Sequence, residues 1–210
     1  MMPAHRSLGA LLAAAALGLG GQSSAAELQL QVANPGGSPI ADAVVYLTPQ
    51  TAPSHPSPPK AIIDQVNRQF VPRVSVIQVG TPVSFPNSDN IRHSVYSFSP
   101  AKTFTLKLYA GTPTNPVVFD NAGVVVLGCN IHDRMVAWVL VLDTPYYART
   151  DQSGMAQLDN VPPGEYLLRA WHEPLSSEQP GEMIHVDAGA AAVRKLVLDA
   201  SGPDMAEMQQ

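Results

Sequence analysis

The chain has 210 residues, 45% of them hydrophobic and 14% charged, with 17 acidic against 12 basic groups and a formal net charge of −5. That balance describes a globular chain rather than a disordered one, and an acid excess without a basic stripe excludes nucleic acid as a partner. A single cysteine, Cys129, excludes an internal disulfide.

The chain opens with Arg6, an apolar run from Leu8 to Leu19 and then Ser24-Ala25-Ala26. This is the order of a secretory signal with a small-residue cleavage site, and the apolar run is too short to span a bilayer. Residues 1–26 are therefore expected to direct export to the periplasm and to be removed after Ala26. Nothing downstream resembles a stop-transfer segment, so no transmembrane segment is expected after cleavage. A free thiol in an oxidising compartment is a liability, so Cys129 is expected either to be buried and inert or to bind a metal.

Strand signals then dominate. Leu28–Ala33, Ala43–Thr48, Arg73–Val79, Ser94–Phe98, Val117–Phe119, Val124–Leu127, Val136–Leu142, Tyr166–Trp171 and Val193–Leu198 are short and rich in β-branched or aromatic residues. Turn clusters such as Asn34-Pro35-Gly36-Gly37 and Pro162-Pro163-Gly164 separate them. With no sustained helical period, the expected class is all-β, built as sandwiches or barrels.

Two boundaries interrupt the series. Five prolines between Pro49 and Lys60 read as an extended linker, and Asp143-Thr144-Pro145 follows the apolar strand that ends at Leu142. Residues 201–210 are polar and read as a flexible tail. The segments Gly37–Val45, Thr150–Gly154 and Val161–Tyr166 resemble the carboxypeptidase regulatory-like, transthyretin-like sandwich, in which such blocks normally lie closer together. This resemblance implies that residues 27–50 and 144–200 form one discontinuous, smaller sandwich into which 60–143 is inserted. The competing assignment gives the first two strands to the middle unit. If insertion holds, the segment Lys60–Asp143 enters and leaves through linkers and is expected to fold and bind metal alone.

The chemistry lies in that middle segment. Gly123–Gly128 is an apolar run, Cys129, His132 and Met135 follow at three-residue steps, and Val136–Leu142 is apolar again. A C-x2-H-x2-M loop pinned between two strands presents three donors in a fixed arrangement. Thiolate, imidazole and thioether together favour copper, whereas zinc gains little from methionine sulfur. A second imidazole would complete the set, and His93, in a polar loop leading into a strand, is the best candidate. His55 lies in the proline-rich linker, and His172 and His185 read as surface or core side chains.

Phe70-Val71-Pro72, Gly80–Phe85, Asn87, Asp89, His93, Val95 and the C-x2-H-x2-M loop together resemble the plastocyanin and amicyanin group of blue copper proteins, the cupredoxins. The whole chain is similar to bacterial proteins labelled methylamine utilisation proteins. The cupredoxin resemblance implies a Greek-key sandwich over 60–143, with one type 1 copper ion on His93, Cys129, His132 and axial Met135. It also implies one-electron transfer between a donor and an acceptor protein rather than enzyme chemistry. Copper binding or delivery without cycling, and a non-redox binding module, are the alternative functions. The group commonly places Asn after the first histidine and Ser or Thr after the cysteine. Here Ser94 and Asn130 exchange those types, and a Ser94–Asn130 side-chain hydrogen bond is expected, with the Ser94 N–H donating to the thiolate. Asp133 beside His132 would favour Cu(II), or else pairs with Arg134 at the surface.

Overall fold

The computed structural model describes residues 25–51, 58–175 and 177–201. The expected leader, apart from Ala25 and Ala26, lies outside the described residues, as do the tail beyond Ser201 and residues 52–57 of the proline-rich segment.

The chain is all-β. It begins with β1 (Ala26–Ala33) and β2 (Val44–Pro49). After the proline-rich segment come β3 (Ala61–Ile62), β4 (Asp64–Val66), β5 (Gln69–Val71), β6 (Val74–Gln78) and β7 (Thr81–Ser84). The next group is β8 (His93–Ser99), β9 (Lys102–Tyr109), β10 (Val117–Phe119), β11 (Gly123–Gly128) and β12 (Val136–Leu142). The last is β13 (Tyr147–Arg149), β14 (Met155–Val161), β15 (Gly164–Trp171), β16 (Glu182–Val186) and β17 (Ala191–Val197).

Strands β3 to β12 pair only with one another, in sheets ordered β6-β12-β11-β8-β9, β10-β7-β3 and the ribbon β4-β5. The outer strands make two further sheets, β14-β1-β17 and β13-β2-β15-β16. The motif Asp151-Gln152-Ser153-Gly154 builds the turn into β14. The Asp151 carboxylate accepts the N–H groups of Ser153 and Met155. Gly154 is required there, since φ is +75° and a Cβ would stand 2.5 Å from the Val32 carbonyl oxygen.

Strand β12 explains how these sheets cohere. Its sequence is apolar at every position, and such runs belong to strands covered on both faces. Ala137, Val139 and Val141 point into one core with Ile63, Phe70, Val83, Phe85, Val95, Phe119 and Leu127. Trp138, Leu140 and Leu142 belong to a second core with Leu28, Leu30, Val44, Val45, Leu47, Leu168 and Trp171. The sheet that carries β12 is thus packed on both sides, by β10-β7-β3 and by the β2 sheet. Polar ties cross the same seam. The Arg149 guanidinium donates to the Val74 carbonyl at 3.3 Å, Arg73 Nε to Glu173 at 3.2 Å, and Thr48 Oγ1 to Asp143 at 3.3 Å. The Arg73 guanidinium also lies 5.0 Å from the Trp138 ring.

This packing argues against the expectation that Lys60–Asp143 folds by itself. Its entry and exit are short segments, but a broad apolar face of its main sheet is covered by the outer strands. Linkers in the sequence mark where pairing changes, not where burial stops.

Candidate metal centre

Cys129 follows the last residue of β11, and Met135 precedes the first of β12. Two turns step along the loop between them. The His132 N–H donates to the Cys129 carbonyl at 3.4 Å, and the Met135 N–H to the His132 carbonyl at 2.9 Å. Residues three apart are thereby folded onto one side, so the spacing read from the sequence becomes a convergent arrangement.

The fourth residue arrives from β8. The pairing of β8 with β9 shifts register between His93 and Val95. A bulge of this kind breaks the in–out alternation and re-aims side chains. Consequently His93, Ser94 and Val95 are buried in succession, where a regular strand would turn one of them outward.

The ligand atoms of His93, Cys129 and His132 all lie within 4.8 Å of one another. His93 Nδ1 is 3.8 Å from Cys129 Sγ, and the two imidazole rings are 4.9 Å apart at 58°. Metal–nitrogen and metal–sulfur bonds of roughly 2.0–2.3 Å place donors around one ion at separations of this order. His132 Nδ1 is buried without a hydrogen-bond partner. A buried nitrogen left unpaired is costly, and a coordinated ion would satisfy it. Met135 is fully buried in the same cluster as Cys129. Among the described residues, no other group of three His, Cys, Asp or Glu donors converges.

A second layer of hydrogen bonds fixes the first imidazole. His93 Nε2 lies 2.7 Å from Asp89 Oδ2. The same carboxylate accepts the N–H groups of Asn67 at 2.6 Å and Arg68 at 2.8 Å. Burial resists ionisation of Asp89, but the bonds from Arg68, His93 and Asn67 outweigh it and hold its carboxyl below the usual range. An acceptor at Nε2 assigns the ring proton to that nitrogen, leaving the Nδ1 lone pair facing Cys129. Asn87 shapes the loop that carries Asp89. Its carboxamide donates to the Ile91 and Tyr109 carbonyls and accepts the Asp89 N–H.

The expected Ser94–Asn130 contact takes a different form. Ser94 Oγ accepts the backbone N–H of Asn130 at 2.9 Å and donates toward Cys129 Sγ at 3.7 Å. The bulge turns the hydroxyl inward to the main chain, so the Asn130 side chain is not needed and is exposed. The hydroxyl, not the Ser94 N–H, is the group that meets the sulfur. Asp133 and Arg134 are exposed and form no ion pair with each other among the described residues.

His172 and His185 are placed far from this cluster in their contacts. His172 Nδ1 meets the Glu173 carbonyl, and His185 lies at the surface between Glu165 and Asp187. His55 falls outside the described residues. Asp89 is the functional residue that motif reading alone leaves without a role. Its signal is the four-residue spacing to His93, which lets a carboxylate in a tight loop reach back to the ring.

Replacing Asp89 by Ala is expected to lower metal affinity by roughly 10- to 100-fold, because the ring loses its orienting partner. Asp89→Asn keeps an acceptor oxygen and should lose much less. Titration of both variants with Cu(II) in competition with a chelator checks this. Equal affinities for the two variants and the unsubstituted protein would show that Asp89 does not support the imidazole.

No protein-family model matches the chain, and no curated protein matches it either. Solved structures to which the chain is similar include a cupredoxin, an amicyanin mutant and a nitrite reductase. A purple cupredoxin from Nitrosopumilus maritimus is 24% identical with a TM-score of 0.35, over 39% of this chain and 99% of that one. The oxidised form of an amicyanin mutant is 20% identical with a TM-score of 0.35, over 39% and 81%. A copper-containing nitrite reductase from Thermus scotoductus is 23% identical with a TM-score of 0.37, over 46% of this chain and only 25% of that one. Each of these similarities spans less than half of this chain.

Proposed function

We propose that the chain is an exported protein that holds one type 1 copper ion on His93, Cys129, His132 and Met135. On this reading it passes single electrons between a donor and an acceptor protein in the periplasm. The observation that carries the reading is the convergence of two imidazoles on the one cysteine, with His132 Nδ1 buried and unpartnered. A His2Cys set with a methionine thioether suits copper, which would supply the one-electron couple.

The chain's own work is to keep the donors still. Cys129 and Met135 sit at the ends of buried strands, His93 is held by Asp89, and Ser94 anchors the main chain after the thiolate. A site fixed from all sides changes little between oxidation states, and that favours rapid electron exchange over bond chemistry. Only His132 among the three nitrogen and sulfur donors of the trigonal set is partly exposed, so its ring edge offers a short path to a partner.

Residues 60–143 supply every proposed ligand, while 27–50 and 144–200 form the sandwich that covers the back of the main sheet. Visible and paramagnetic-resonance spectra of the purified protein with Cu(II) test the proposal. An intense thiolate-to-copper band with a small copper hyperfine splitting is expected. A colourless Cu(II) complex would overturn it. A coloured complex that loses its ion on reduction would favour copper delivery instead.

A further inference from the structure

Strand β17 is the edge of its sheet, paired with β1 alone among the described residues. The Glu27 N–H donates to the Ala190 carbonyl at 3.0 Å and the Leu198 N–H to the Ala33 carbonyl at 2.9 Å. In a parallel ladder the residues that bond a neighbour alternate along the strand. Even-numbered residues of β17 therefore turn their N–H and C=O groups to β1, and those of Val193, Lys195 and Val197 point out of the edge. The side chains of these three stand on the face of the sheet away from the core. Val193 is 65% exposed, Val197 73%, and Lys195 is exposed with no ion pair among the described residues. On the other face Leu196 and Leu198 pack with the core. A cleft of about 230 Å³ bounded by Leu168, Ala170, Leu196 and Leu198 lies along this edge, so the core itself is open there.

Unpaired edges are commonly blunted by charge, and a lone lysine would serve that end. Asp199 changes the outcome. It stands two residues beyond the end of β17 and is exposed. Its carboxylate accepts the Ser201 N–H at 3.0 Å through Oδ1, and Oδ2 has no partner among the described residues.

We propose that the β17 edges of two copies of the chain pair antiparallel about a twofold axis through Val197, joining two three-stranded sheets into one. In this register Val197 faces the partner's Val197, Lys195 faces the partner's Asp199, and Asp199 faces the partner's Lys195. All are outward residues, so each pair exchanges backbone hydrogen bonds across the edge. The same register sets Leu196 against the partner's Leu198 on the inner face and carries the apolar core across the seam. Registers centred from Val193 to Leu196 set Lys195 against the partner's Lys195, Ala191, Val193 or Val197, and one centred on Leu198 sets it against the partner's Ser201. None of these gains an ion pair. Lysine thus selects one pairing and disfavours the rest. A contact one strand wide is small beside a permanent interface, so the dimer is weak and depends on concentration. None of the proposed ligands lies in β1, β14 or β17, and the pairing is independent of the copper reading.

Sedimentation velocity of the full chain from micromolar to millimolar concentration is expected to show a monomer–dimer equilibrium. Lys195→Asp and Asp199→Lys should each weaken it about tenfold or more, since each sets like charges opposite one another twice. Combining the two exchanges the charges and should restore the dimer. Both side chains are exposed, so the fold should stay intact, as circular dichroism checks. Val197→Cys reads the register. Its thiol would meet its counterpart on the axis, with about 5.5 Å between Cα atoms, and diamide should crosslink it into a covalent dimer while Cys129 stays buried. Val193→Cys should not crosslink, because the two copies of that position lie at opposite ends of the seam. A chain that stays monomeric throughout, a dimer unaffected by Lys195→Asp, a double variant no tighter than the single ones, or equal crosslinking at 193 and 197 would each overturn the pairing.

Discussion

Cys129→Ser is expected to abolish the intense visible band of the Cu(II) protein while leaving the chain folded. The band needs a thiolate donor, and a serine hydroxyl is harder and far less acidic, so it does not bind as the anion near neutral pH. The fold should survive because the two side chains are nearly isosteric and the site already contains a partner for the new hydroxyl. Ser94 Oγ, which donates toward Cys129 Sγ at 3.7 Å, can bond an oxygen in its place. A polar group buried unpaired would cost about 1–3 kcal/mol, and that bond offsets much of it. His93 and His132 remain, so weak, colourless Cu(II) binding should persist. Absorption spectra and thermal unfolding of the variant against the unsubstituted protein, both with Cu(II), make the check. A variant that keeps the band would place the coloured centre elsewhere and remove Cys129 from the site.

Much of this centre is legible in the sequence because three of its donors are neighbours in the chain. Cys129, His132 and Met135 lie within seven residues between two apolar runs, so strand–loop–strand context is visible without knowing the fold. His93 is legible at lower resolution, as a histidine where a polar loop meets a strand. The support around it is not. Asp89 acquires its role only because Asn87 folds the loop back onto Ile91 and Tyr109, a set of contacts that no spacing encodes. The inward turn of Ser94 depends on a register shift with β9. Strand β9 itself gives a weak signal, since Thr103, Thr105 and Lys107 fill its exposed side and leave only half of an alternation. In the same way the unbroken apolar run of β12 announces a strand covered on both faces without naming what covers it.

That second cover leads to the other large expected effect. The excised segment Lys60–Asp143 should fail to fold into a stable copper-binding unit, although it contains every proposed ligand. Cutting there strips the outer strands from Val124, Trp138, Leu140 and Leu142, which now sit in a shared core. Each large side chain returned to water forfeits about 1.5–3 kcal/mol, so four such residues approach the 5–15 kcal/mol that typically holds a domain together. Met135 directly precedes β12, so loosening the strand's packing would also loosen the loop of proposed ligands. In the full chain, Trp138→Ala isolates the same contact and should cost about 3–5 kcal/mol, because the cavity left in that shared core cannot close completely. Its spectrum should stay unchanged once folded, as Trp138 faces away from the ligands. Denaturant unfolding of the excised segment and of the full-length variant reads both effects. Cooperative unfolding of the segment with copper bound, together with a Trp138→Ala cost under about 1 kcal/mol, well below that expected for a large core side chain, would show that the outer sandwich merely rests against the sheet that carries the proposed ligands.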